Sequence, residues 1–143
     1  MEAIESRTIQ PGDVVVSRYQ GLKGGPAMGG GASLILFALD AAGLAKSTAF
    51  VTDGQLSGLC LKGLTVAEVA PEAATGGPIG KVRDGDVIRI SVANRSIDID
   101  LTAEELAARS GPGYVTEATG YLASFRQDVQ PMSTGGVLLP PGG

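Results

Sequence analysis

The stretch "ASLILFALDAAGLA", residues 32–45, carries Asp40 as its only charge. A segment that long and that apolar reads as a helix buried on most of its sides, with Ser33 helping to begin it and Gly43 ending it. Such a helix needs a cover, and short apolar strands stand on either side. Val14-Val15-Val16 follows the turn Pro11-Gly12-Asp13, and Ala49-Phe50-Val51 runs into the turn at Asp53-Gly54. With 22 glycines and only 4% aromatic residues, the core must be assembled from Val, Ile, Leu and Ala between tight turns. The pattern predicts one β-rich α+β domain over residues 1–143, with 1–10 as a polar lead-in and 138–143 as a flexible tail.

The second half repeats the turn-and-strand device. Leu64 to Val69 reads as a strand ending at Pro71, followed by an irregular or helical turn over Glu72 to Ala74. "PIGKV" (78–82) reads as a further strand, and Asp84-Gly85-Asp86 feeds "DVIRISV". Ala93-Asn94-Arg95 then turns the chain into "SIDIDL", where Ile97, Ile99 and Leu101 alternate with Asp98 and Asp100, one buried face against one wet face. Thr102 with Glu105 three positions on is a capping box opening "AEELAARS". A C-terminal helix is expected over 117–129, carrying Tyr121, Leu122 and Phe125.

Several chemistries are excluded by composition. The net charge is −4 with scattered basic residues, so nucleic acid and anionic membrane surfaces are not expected partners. No signal-like or membrane-length apolar run is present, and the chain reads as cytoplasmic. It has no histidine and one cysteine, Cys60, so it cannot by itself supply a Ser-His-Asp triad, a disulfide, or a thiolate cage for zinc or an iron-sulfur cluster.

"VTDGQLSGLC" (51–60) is the candidate site. Glycines at 54 and 58 permit positive φ or close approach to a ligand, which would set Ser57 on an exposed elbow among amide N–H groups. The competing reading is a strand-ending turn in which Ser57 satisfies local backbone. Upstream, "GLKGGPAMGGG" (21–31) is a glycine-rich loop before a helix and a possible anion cradle, although its spacing matches neither a Walker A loop nor GxGxxG. Cys60 reads as a small buried residue. Lys23 and Lys62 are candidate contacts for a substrate carboxylate or else solvated lysines, and Glu68 reads as an outward strand residue.

Four ordered blocks, "GDVVVSRYQGLKGGPAM", "VTDGQLSG", "VAPEAATGGPIGKVRDGDVIRI" and "GYLASFRQDV", resemble the carboxy-terminal domain of the dihydroxy-acid dehydratase and phosphogluconate dehydratase family over about residues 9–137. The resemblance implies a swivelling β/β/α, barrel-like domain. It also implies a hydro-lyase removing water from dihydroxy acids or sugar acids to give 2-keto acids, among them intermediates of branched-chain amino acid biosynthesis. Ser57 would be the base, with Lys23, Gly24, Gly25, Asp53, Gly54 and Gly58 binding substrate and no metal ligand in this chain. The iron-sulfur cluster and Mg²⁺ would come from an amino-terminal domain or large subunit, and homo-oligomerisation is compatible.

The sequence departs from the family pattern at three places. Gly30 stands where the family has its Mg²⁺-binding glutamate, Leu59-Cys60 follows Gly58 in place of Gly-Thr, and Glu68 stands where the family has a histidine. A catalytically silent binding or assembly module derived from the family therefore remains the alternative.

Overall fold

The computed structural model describes residues 2–25, 27, 30–60, 62–113 and 117–139. A short helix, α1 (Glu2–Glu5), opens the lead-in, and the chain then enters strand β1 (Val14–Ser17). Helix α2 (Gly30–Ala41) crosses to β2 (Ala49–Thr52), and β3 (Leu64–Val66) follows. All three strands are parallel in the order β1-β2-β3, with Val15 opposite Phe50 and Phe50 opposite Thr65.

A parallel sheet is stable only when both faces are covered, and the central strand β2 is buried along its whole length. Alternation sends Phe50 to one face and Val51 to the other. Phe50, 1% exposed, packs with Ala32 and Leu36 of α2, Cys60, Val15 and Leu56. Its burial contributes roughly 2–3 kcal/mol. Val51 packs on the opposite side with Ala73, Ile79, Val16, Val69 and Ile90. The sheet thus lies between α2 and a layer of turns, with one strand of a hairpin at that layer's edge.

The hairpin is β4 (Ile88–Ser91) against β5 (Ser96–Ile99), antiparallel, with Ile90 opposite Ile97. Helix α3 (Ala103–Ala108) begins in the expected capping box: Glu105 N–H donates to Thr102 Oγ1 at 3.2 Å and Thr102 N–H to Glu105 Oε2 at 2.8 Å. Arg109, just past its end, clamps Asp86 with both guanidinium nitrogens, the Nη2–Oδ1 arm being 3.0 Å. That contact pins α3 to the turn before β4. Helix α4 (Tyr121–Asp128) follows, and the chain folds back so that Leu138 bridges Val129, which is fully buried. Residues 140–143 of the expected tail lie outside the described residues.

The α+β class holds, and among the described residues the two sheets remain separate rather than closing into a barrel. Several local expectations differ: β3 stops at Val66 instead of Val69, so Glu68 lies outside the strand with φ of 58°, and α4 begins at Tyr121 rather than 117. Residues Pro78–Lys81 form a 3-10 turn instead of a strand, because Pro78 has no N–H for a ladder and takes a first helical position, while Ile79 still reaches the core. Helix α2 starts earlier and ends earlier than 32–45, and it buries only one stripe, Ala32, Leu36 and Leu39, while Leu34 is 62% exposed and Phe37 39%. In β5, Ile99 is half-buried but Ile97 is exposed. No helix among the described residues is long and apolar enough to cross a membrane.

Candidate functional site

β2 delivers the chain at Thr52 into a turn held by Asp53. This carboxylate is 1% exposed and accepts three backbone N–H groups: Oδ2 from Tyr19 at 3.1 Å and from Ala73 at 2.9 Å, Oδ1 from Gln20 at 2.9 Å. A buried carboxylate is tolerable when its lone pairs are met by such charge-assisted bonds. One side chain therefore ties the exit of β1, the exit of β2 and the 3-10 turn Ala73–Thr75 together.

The turn is tight as well as bonded. A β carbon on Gly54 would lie 2.7 Å from Gln20 Cβ and 2.8 Å from its carbonyl oxygen, so glycine is needed there for close approach. Gln55 N–H donates to Ala27 O at 2.7 Å, and Glu68 N–H to Gly54 O at 3.0 Å. Tyr19, Ala27 and Glu68 have φ of 61°, 64° and 58°, a region costing a side-chain-bearing residue roughly 1–2 kcal/mol. All three bond to residues 53–55, so three of the five described non-glycine residues with positive φ, all but Arg7 and Arg95, gather around the elbow.

The glycine-rich loop has a cradle, and it is filled from within. Lys23 N–H donates to Glu72 Oε1 at 2.7 Å, and the N–H groups of Gly24 and Leu22 also favour the charged carboxylate. Burial, the largest influence, together with the negative charge of Asp53, nevertheless raises the Glu72 pKa above its ordinary value. A β carbon on Gly21 would overlap Glu72 Oε2. Beside this contact opens a cleft of about 240 Å³ lined by Leu22, Lys23, Asp53, Pro71, Glu72, Gln130 and Met132 among others.

Ser57 stands apart from that lining. It is half-buried, its Oγ accepts Leu59 N–H at 3.3 Å, and Cys60 Sγ lies 3.7 Å away. The thiol is buried, as expected, and makes a second contact of 3.2 Å to Ser33 Oγ in the first turn of α2. Neither Gly54 nor Gly58 takes positive φ; of the two roles expected for them, Gly54 serves close approach, here to the protein's own Gln20. Gly58 is exposed with open space where a β carbon would be, so the fold itself does not require glycine there.

The expected site residues are thus brought together in part. Lys23 and Asp53 share the cleft; Gly24 packs tightly on Tyr19 and Ala74, Gly25 on Gln20, and Gly54 on Gln20 and Ala27. Ser57 and Gly58 lie on the far arm of the elbow. Lys62 is paired with Asp40 at 3.1 Å. Glu72 was not expected: a lone carboxylate in the apolar run Val69 to Ala74 was its signal, but its partner Lys23 is 49 positions away. Among the described residues no cluster of three or more His, Cys, Asp or Glu could hold a metal, and the Asp53 oxygens already have N–H partners. This donor set does not fit Mg²⁺ or an iron-sulfur cluster.

The four blocks that organise this site have counterparts among known proteins. The sequence profile described as dihydroxy-acid/6-phosphogluconate dehydratase C-terminal matches residues 1–136. A dihydroxy-acid dehydratase of Pyrococcus furiosus is 46% identical over 140 residues, covering 95% of this chain and 25% of the relative. Dihydroxy-acid dehydratase 1 of Methanosarcina acetivorans is 41% identical over 141 residues, covering 96% and 25%. The dihydroxy-acid dehydratase of Methanosarcina barkeri is 40% identical over the same length, with the same coverage. The chain spans about a quarter of the length of these relatives. By sequence, along nearly its whole length, it belongs to the dihydroxy-acid/6-phosphogluconate dehydratase family, as a C-terminal domain.

Proposed function

We propose that this chain is the domain of a hydro-lyase that supplies the proton-abstracting group for dehydrating a dihydroxy acid or sugar acid to a 2-keto acid. Ser57 takes the proton from the carbon next to the substrate carboxylate, Lys23 attracts that carboxylate, and Asp53 with Gly24, Gly25 and Gly54 sets the two loops that carry them. Loss of the neighbouring hydroxyl leaves an enol that becomes the keto acid; the groups that remove the hydroxyl belong to another domain or chain. A serine hydroxyl is a weak base, and among the described residues its oxygen receives one amide N–H, that of Leu59. The rest of its activation therefore falls to the complete site.

The observation that carries this reading is the placement of Ser57 at the end of a turn so heavily braced by Asp53, Gly54 and Gln55, in a chain matched across its length by dehydratase domains. Exposed Leu34 and Phe37 on α2, with Leu59 at 72% exposure on the adjoining turn, suit a docking face for the amino-terminal portion of the enzyme. Leu22 and Leu56, half-buried, line the Lys23 cleft and pack against the core respectively, and Met28 lies outside the described residues.

The alternative, a silent assembly module, is favoured by the departures from the family pattern at Gly30, Leu59-Cys60 and Glu68. Reconstitution with a cysteine-bearing amino-terminal dehydratase domain decides between them. Ser57→Ala should lower kcat by at least about 10²-fold with little change in KM, and Cys60→Ser should cost much less. Unaltered turnover in the Ser57→Ala complex refutes the assigned base. No turnover in the unmutated complex with any dihydroxy or sugar acid favours the module.

A further inference from the structure

We propose that Glu72 is a positioning residue that shapes the Lys23 loop from within, and that the backbone cradle it fills is a carboxylate site which a free small carboxylate will occupy once the side chain is removed. The functional half rests on Lys23 being a substrate contact; the cradle itself does not.

Lys23 N–H donates to Glu72 Oε1 at 2.7 Å, and the neighbouring N–H groups of Leu22 and Gly24 favour the charged form of the same carboxylate. Consecutive N–H groups in a turn make an anion-binding concavity without any cationic side chain. The space is shaped to its occupant, since a β carbon on Gly21 would overlap Oε2. Gly25 N–H to Gly21 O at 2.9 Å closes the turn around it. Glu72 is itself held from behind, because its neighbour Ala73 donates to buried Asp53. The 240 Å³ cleft alongside admits small solutes to this position. Glu72 therefore stands to the glycine loop as a built-in anion: it fixes where the Lys23 backbone lies, and with it the point from which the ammonium is presented.

The test needs no dehydratase activity, so its failure is separate from failure of the functional reading. In ¹⁵N-labelled chain, acetate titrated at constant ionic strength should produce saturable amide shifts at Leu22, Lys23 and Gly24 of Glu72→Ala, with millimolar affinity. Chloride should produce none, and neither wild type nor Glu72→Gln should respond, the cradle being full. Absence of saturable shifts in a folded Glu72→Ala, or equal shifts in wild type, overturns the proposal. Should Glu72→Ala not fold, amide exchange decides: Lys23 N–H should be protected in wild type and in Glu72→Gln, which keeps an acceptor oxygen, and rapid exchange there in wild type overturns the proposal. In the reconstituted enzyme Glu72→Ala should raise KM at least about tenfold with kcat less affected, and millimolar acetate should partly restore KM. A purely structural role would give no restoration.

Discussion

Replacing Asp53 by Asn tests the bracing of the elbow, because the change removes charge and one acceptor while keeping shape. Two donors, Tyr19 and Ala73, share Oδ2, and Gln20 uses Oδ1. In its better orientation the Asn carbonyl takes the Oδ2 place, and the amide NH₂ then faces Gln20 N–H. That contact loses one bond and leaves a poorly solvated donor, which costs about 1–3 kcal/mol. The two surviving bonds drop from charge-assisted to neutral, at roughly 0.5 kcal/mol each. The sum is about 3 kcal/mol, a large part of the roughly 5–15 kcal/mol that stabilises an ordinary domain. Asp53→Ala strands all three donors and leaves a cavity, for about 4–5 kcal/mol once water reaches the half-buried Tyr19 and Gln20. In urea, with a slope of about 1.5–2 kcal/mol/M, the Asn midpoint should fall by about 1.5–2 M at unchanged slope, and the Ala midpoint further. A loss under about 0.5 kcal/mol for Asn, or Asn worse than Ala, would refute the bracing role.

Three more predictions concern charge and surface. The folded protein raises the Glu72 carboxyl above its ordinary value of 4.5, so protonation favours the fold: that stability is present below the ordinary value and is lost as pH rises through the folded one. Glu72→Gln should remove this loss, which denaturation midpoints taken from pH 4 upward will show; an unchanged profile contradicts the assignment. Asp86 behaves oppositely, since its hydrogen bonds from Arg109 hold its carboxyl below the ordinary 3.8, and its contribution is present above that value and lost as pH falls through the lowered one. Arg109→Gln should flatten that acid limb in midpoints measured from pH 5 down to 2, and an unaltered limb would assign it elsewhere. Leu59→Asp and Leu34→Asp should leave the midpoint within about 0.5 kcal/mol, as exposed positions do, yet abolish co-purification with an amino-terminal dehydratase domain; retained binding in both moves the docking face elsewhere.

Features decided within a few residues were legible in the chain. The Thr102 and Glu105 capping box, the turn at 93–95 between β4 and β5, and the strands at 14–17 and 49–52 follow from side-chain reach and apolar pattern over a turn or a strand. The family blocks were legible too, because their order is written along the chain. Tertiary structure decided what depends on residues far apart. Asp53 reads locally as a turn residue, but 33 and 34 positions separate it from Gln20 and Tyr19, and folding makes it a buried three-way acceptor. The glycine loop reads as an open cradle, and only packing brings Glu72 across 49 positions to fill it. Helix α2 reads as buried on most of its sides, yet the sheet covers a single stripe, because a three-stranded sheet presents one face to one side of a helix. Local preference acts through backbone and near neighbours, whereas a carboxylate's partners are whichever N–H groups the fold leaves without water, and no local pattern names them.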